Sequence, residues 1–301
     1  GGSTMKYLLI TVIAFLSESI DSTLGMGYGT LLTPILILMG YEPVEIVPLI
    51  LFSEFITGLL AARMHHKKGN VNFQIGSTEF KTAAILTACS IVGTVAASFL
   101  VISLKKEIIK LYIAILLIFI GFTSFMTFRK KYTFTWTKVL GLGLLASFNK
   151  GISGGGYGPL VVGGQLLSGI NGKSAVGITS LSEGFTCLVG VISYLFLNGF
   201  NFNYPLAFAL LTGALLSIPV SVNLIAIIKE NILKIILSIA IITLGFFNIF
   251  TIVDPLTIVT KYPYIILFIF LISVLVIIKL YKEIKSTFDK SSILKEMQKI
   301  E

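Results

Sequence analysis

The chain has 301 residues, of which 55% are apolar and only 12% charged, and its mean hydropathy is +0.96. A soluble domain carries about 25% charged residues, so this composition excludes one and points to an integral membrane protein with many helices. The formal charge of +9 comes from basic residues spread over short loops and a C-terminal tail, which is the pattern of cytoplasmic loops, so no nucleic-acid partner is expected.

In chain order, Gly1 to Thr4 precede Met5 and read as a cloning remnant. Five apolar segments follow, at about 6–20, 24–40, 43–62, 81–102 and 108–128. The first runs into a glycine-rich stretch instead of a small-residue cleavage site, so no cleavable signal peptide is expected. Five more segments occupy about 136–149, 154–169, 175–197, 204–227 and 232–250. A further span near 262–280 precedes the polar tail "YKEIKSTFDKSSILKEMQKIE". Cys89 and Cys187 lie inside apolar segments and read as inert core thiols without a disulfide.

The two sets of segments repeat each other. A shift of 129 residues, from Gly29 to Gly158, lays "GMGYGTL" on "GGGYGPL" without a gap. The same register lays Gly40 on Gly169, Ser53-Glu54 on Ser182-Glu183, and Thr57 on Thr186. The expected organisation is a first transmembrane repeat over 5–131, a second over 132–250, an additional helix within 251–281 and a tail over 282–301.

The first two segments of each repeat are short, so they form either a glycine-tipped hairpin or one broken span. A hairpin gives each repeat an odd number of crossings and makes the repeats inverted. Charge arbitrates. In the inverted arrangement Arg63, Lys67, Lys68, Lys81, Arg129, Lys130, Lys131, Lys138, Lys173 and the basic tail share one side, which the positive-inside rule makes cytoplasmic. The N-terminus is then outside and the C-terminus cytoplasmic. Inverted repeats around discontinuous helices mark secondary transporters, with substrate near the bilayer midplane.

The glycine stretches are the candidate site. Non-helical backbone at membrane depth needs protein or a water-filled cavity around it. A helix starting after such a break points free N–H groups and the positive end of its dipole at an anion. Gly25, Gly27 and Gly29 in one repeat, with Gly154, Gly155, Gly156 and Gly158 in the other, would form two such ends. Ser22, Thr23 and Ser153 add hydroxyls, and Tyr28 and Tyr157 stand inside the hinges. The plainer reading is close helix packing through small residues.

Ionisable residues cluster at the same places. Glu18 and Asp21 precede the first hinge, and Asn149 and Lys150 precede the second. Asp21 and Lys150 are equivalent under the shift, so they either pair with each other or leave Lys150 to face the substrate. Glu54 and Glu183 either brace the hinges by accepting their N–H groups or carry a proton during transport. Ser53, Thr57, Thr179, Ser180, Ser182 and Thr186 line a polar path or hold helices together, and Gln165 is a weaker candidate. His65-His66 reads as a solvated loop. Metal spacing, a phosphate loop and a nucleophile–base set are all missing, so neither a cofactor nor an enzyme is expected.

On "GMGYGTLLTPILILMG" with "RMHHKKGNVNF", and on "SGGGYGPLVVGGQLLSGINGKSAVGITSLSEG", the chain resembles the TauE/SafE sulfite exporter family, whose relatives include 4-toluene sulfonate uptake permeases. The second half carries the pattern A-V-G-x-T-S at 175–180, whereas "IVPLILFS" replaces it at 46–53. The resemblance spans about residues 8 to 250. It implies a transporter of small sulfur-containing anions such as sulfite, thiosulfate or organosulfonates, coupled to the proton gradient. The alternatives are an uncoupled anion channel or a transporter of another small anion such as a carboxylate. The partners implied are that anion and the lipid bilayer, with a homodimer left open.

Overall fold

The computed structural model describes residues 2–126, 135–167, 170–198 and 203–224, with positions 242, 243, 245, 246 and 249. Most of the segment expected at 232–250, the additional C-terminal helix, the tail, Gly169 and the loop holding Arg129 lie outside the described residues. Among them every regular element is a helix. The helices are α1 (Gly2–Leu24), α2 (Tyr28–Leu38), α3 (Pro43–Lys67), α4 (Thr78–Ser103) and α5 (Lys106–Met126). They continue as α6 (Trp136–Ser153), α7 (Tyr157–Leu167), α8 (Gly172–Asn198) and α9 (Tyr204–Leu224).

Among the described residues, Thr4–Leu24, Pro43–Lys67, Thr78–Ser103, Gly172–Leu197 and Tyr204–Asn223 are long and apolar enough to cross a membrane. Their large outward side chains are apolar, among them Leu8 and Val12 on α1, Ile91 and Phe99 on α4, and Phe208 on α9. Serines and threonines are instead buried between helices, where they return hydrogen bonds to the preceding turn; Thr82 to Thr78 O and Ser98 to Thr94 O are examples. This polarity profile suits lipid outside and packed helices within.

Local signals set the helix ends. The Ser77 hydroxyl caps α4 by accepting from Phe80 N at 3.1 Å, and Asn171 caps α8 by accepting from Ser174 N at 2.9 Å. Proline stands at the start of α3. Both glycine breaks share one geometry. Gly25 and Gly154 end α1 and α6 with φ of 67° and 69°, and each donates its N–H to the carbonyl four residues back, Asp21 or Lys150. Gly27 and Gly156 then turn the chain with φ of 151° and 78°. α1 runs four residues further than the expected end at 20, because no breaker occurs before Gly25.

Side-chain ties show where the chain returns. Lys6 Nζ lies 4.2 Å from the Tyr41 ring centroid, so α2 and its following turn come back to the level of the start of α1. Glu42 meets Lys110 at 3.5 Å, and Glu45 accepts from Asn203 at 3.1 Å, which brings the starts of α3, α5 and α9 to that same end. At the opposite end Ser174 at the start of α8 reaches Asn70 O, just past α3, at 3.5 Å. α3 and α8, which the shift of 129 residues superposes in sequence, therefore run antiparallel. They cross where Gly58 lies against Ser180 O and Gly184. The other pairings are reciprocal: α1 packs along α9 and α6 along α4, while α3 meets α9 and α8 meets α4.

Candidate functional site

The two glycine hinges cross one another in the interior, backbone on backbone. A Cβ on Gly29 would overlap Gly154 O, and a Cβ on Gly158 would overlap Gly25 O. These contacts are equivalent under the 129-residue shift. A Cβ on Gly155 would stand 2.6 Å from Thr30 N. Only glycine lets two chains approach so closely. Thr33 Oγ1 donates to Ser153 O at 2.6 Å and Gly156 N donates to Thr30 Oγ1 at 3.0 Å, which stitches α2 to the second hinge.

At this crossing a crevice is lined by Gly29, Thr30, Thr33, Ser153, Gly155 and Gly156, with Pro34 and α5 side chains Ile113, Leu116 and Leu117 closing it. It has room for about one water molecule. Ser153 Oγ donates to Asn149 O at 2.8 Å and accepts from Gly155 N at 3.1 Å. The Asn149 side chain accepts from Tyr112 of α5, which fixes the last turn of α6.

Beside the crevice lies a buried ionic cluster. Lys150 of α6 donates to Glu183 Oε1 of α8 at 2.8 Å and to Glu54 Oε2 of α3. Lys150 is 1% exposed, Glu54 2% and Glu183 3%, so the three are withdrawn from solvent together. Breaking such a triad leaves an uncompensated buried charge and costs about 3–5 kcal/mol. Asp21, Glu54 and Glu183 each offer an oxygen within 4.8 Å of the others. That spacing could suit a cation, but the Lys150 ammonium already stands on two of the three carboxylates.

Asp21 accepts from Tyr28 N at 3.2 Å, so it is the carboxylate that braces a hinge. Of the two roles expected for Glu54 and Glu183, hinge bracing therefore passes to Asp21. Of the two roles open to Lys150, pairing with Asp21 or facing the substrate, the pairing is made with the two glutamates in place of Asp21. The reason is reach: both glutamates project from the α3–α8 crossing toward the end of α6. Glu18 accepts from Ser22 at 2.6 Å and from Thr57 at 3.3 Å.

Ser22 and Thr23 lie in the last turn of α1, because the helix persists to Leu24. Thr23 Oγ1 bonds Ser19 O at 2.6 Å, so both hydroxyls are committed away from the crevice. Thr186 and Ser180 return their hydroxyls to Ser182 O and Val176 O within α8. Gln165 donates to Thr179 at 3.0 Å. The Tyr28 hydroxyl meets Ser53 Oγ at 2.7 Å. Its counterpart Tyr157 is buried with its hydroxyl beside Ser182 and Thr186, Ser182 being the repeat equivalent of Ser53.

Several site residues escape the sequence. Thr30 and Thr33 carry the stitches between the hinges; their one-turn spacing on an otherwise apolar helix is the signal that could have found them. His65, expected in a solvated loop, is instead fully buried in the last turn of α3. Its Nδ1 lies 3.0 Å from Asn70 Nδ2, and its Nε2 donates to Ser22 O at 2.9 Å. The helix runs further toward the loop than hydropathy indicates, and the end of α1 packs over the ring. Cys89 and Cys187 are free and buried.

Comparison with known proteins matches residues 10–247 to the family model described as Sulfite exporter TauE/SafE. The chain is similar to the probable membrane transporter protein YtnM of Bacillus subtilis (strain 168), with 25% identity over 232 residues, 73% of this chain and 75% of that protein. No solved structure matches.

Proposed function

The chain belongs to the TauE/SafE sulfite exporter family, and from that premise we propose that it is a secondary transporter of a small sulfur-containing anion, of the sulfite, thiosulfate or organosulfonate class. The anion is held where the two hinges cross, near the bilayer midplane of a multi-pass protein in the cytoplasmic membrane. One observation carries this reading: the reciprocal glycine-on-backbone crossing of Gly29 with Gly154 and Gly158 with Gly25, at the depth where irregular backbone needs a functional reason. Gly156 N and Thr30 N lie at the crossing, and Ser153 and Thr30 supply hydroxyls there.

The antiparallel course of α3 and α8 and the reciprocal helix pairings support two inverted repeats, 5–131 and 132–250, related by a pseudo-two-fold axis through the crossing. Rocking one repeat against the other opens the crevice to each side in turn. The buried acids beside it are the seat of coupling to the proton gradient. The family supports a sulfur anion as the substrate, and donors of this kind serve oxyanions generally.

The test is a thermal-shift screen of the purified chain against sulfite, sulfate, thiosulfate, sulfoacetate, phosphate and simple carboxylates. Stabilisation by the sulfur anions is expected; a shift with carboxylates alone overturns the assignment. Ser153→Ala and Thr30→Val should weaken the stabilising anion at least about tenfold, the loss of roughly one charge-assisted hydrogen bond, while Ser90→Ala leaves it unchanged.

A further inference from the structure

The buried cluster does not balance in charge. Among the described residues, Glu18 and Asp21 of α1, Glu54 of α3 and Glu183 of α8 are four carboxylates gathered with one ammonium, that of Lys150 from α6, and all five are buried. Among the described residues the remaining titratable neighbours are Tyr28 of α2, Tyr157 of α7, Cys187 of α8 and His65 of α3, which is neutral because one ring nitrogen accepts from Asn70, so none offers a positive charge. Fully ionised, the cluster would hold a large excess of negative charge in the membrane core, where uncompensated charge is costly. An anion in the crevice would add to it. The two sites adjoin on both flanks: Lys150 lies one helical turn before Ser153, and Asp21 holds Tyr28 N next to Gly29.

Hydrogen bonding singles out where compensation belongs. Glu18 has both oxygens satisfied by Ser22 and Thr57, and Asp21 has a hinge N–H. Glu54 Oε1 and Glu183 Oε2 are buried without a partner, each on a carboxylate whose other oxygen holds Lys150. A proton on either orphan oxygen turns it into a donor beside the neighbouring carboxylates and leaves the lysine contact in place. With the ammonium already between these two groups, a proton fits where a metal cation would have to displace Lys150.

We propose that Glu54 and Glu183 take up protons as the anion enters the crevice, so that anion and protons bind together and cross in the same direction. This rests on the crevice being the anion site. The balance is simple: each carboxylate plus a proton gives a carboxylic acid, and release of the anion on the far side returns the proton there.

The experiment uses the purified full chain in detergent with thiosulfate and sulfate, which stay dianionic across the range tested, whereas sulfite titrates itself. Affinity should fall about tenfold per pH unit for each proton co-bound between about pH 6 and pH 8. Calorimetry in buffers of different ionisation enthalpy should show matching proton uptake. Glu54→Gln and Glu183→Gln should each flatten the pH dependence while thiosulfate or sulfate still binds. The wild-type measurements decide the matter even if a variant does not fold. Equal affinity at both ends of the range without proton uptake overturns this inference and leaves the anion site standing. A sodium requirement without proton uptake does the same. If no sulfur anion binds at any pH, the anion reading falls and this inference with it.

Discussion

At the scale of single residues, the hinge crossing depends on the absence of side chains at two equivalent positions. Gly29 and Gly158 each face a backbone carbonyl of the opposite hinge at a separation no Cβ can share. A flexible neighbour could move aside, but two backbones pinned by the Thr33–Ser153 and Thr30–Gly156 hydrogen bonds cannot. Gly29→Ala and Gly158→Ala are therefore expected to lose about 3 kcal/mol or more, enough to abolish monodisperse folded protein in size-exclusion chromatography. Gly163 on α7 faces open space, so Gly163→Ala should shift the melting temperature little. The glycines were legible as a site because they are repeated and because a break in an apolar run demands a cause. Which glycine meets which carbonyl was not, since the two hinges are more than a hundred residues apart.

At the scale of elements, the end of α3 is tied to the end of α1 through one buried histidine. His65 accepts from Asn70 on one ring nitrogen and donates to Ser22 O on the other, which also sets its tautomer. Ser22 in turn donates to Glu18, so the tie continues into the acidic cluster. His65→Leu keeps the volume but leaves a buried carbonyl and an amide without partners, a loss of about 1–3 kcal/mol. The expected readout is a lower melting temperature together with faster hydrogen exchange at residues 22–25, while the core of α4 keeps its protection. Nothing in "RMHHKKGN" distinguishes a buried histidine from a solvated one. The difference arises from α1 continuing to Leu24 and bringing a carbonyl over the ring.

At the scale of the whole molecule, the loops sort into two ends. One end collects Lys6, Tyr41, Glu42, Lys110 and Asn203, and the other collects Asn70, Glu79, Asn171 and Lys173. The second end also carries the denser basic residues of the described loops, so it should be cytoplasmic. Ile75→Cys, in a loop where the side chain is 93% exposed, is expected to react with an impermeant maleimide only in inside-out vesicles. Lys105→Cys, between α4 and α5, should react only from outside. Cys89 and Cys187 are buried, so background labelling should be low. Labelling of both positions from one side would overturn α4 as a crossing helix, and labelling each from the opposite side to that expected would overturn the orientation.

Apolar runs, their lengths and a repeated glycine pattern are properties of short stretches, and from them the sequence by itself determined an all-helical membrane protein with two hinges and a sulfite-exporter-like pattern. It also placed Glu18, Asp21, Glu54, Lys150 and Glu183 on apolar helices, which marked them as residues needing partners. Only the tertiary structure decided the partners. Lys150 was equally entitled to Asp21 by symmetry, yet the α3–α8 crossing delivers Glu54 and Glu183 to it and leaves Asp21 to the Tyr28 N–H. Burial makes a partner obligatory, and helix packing chooses which one is within reach.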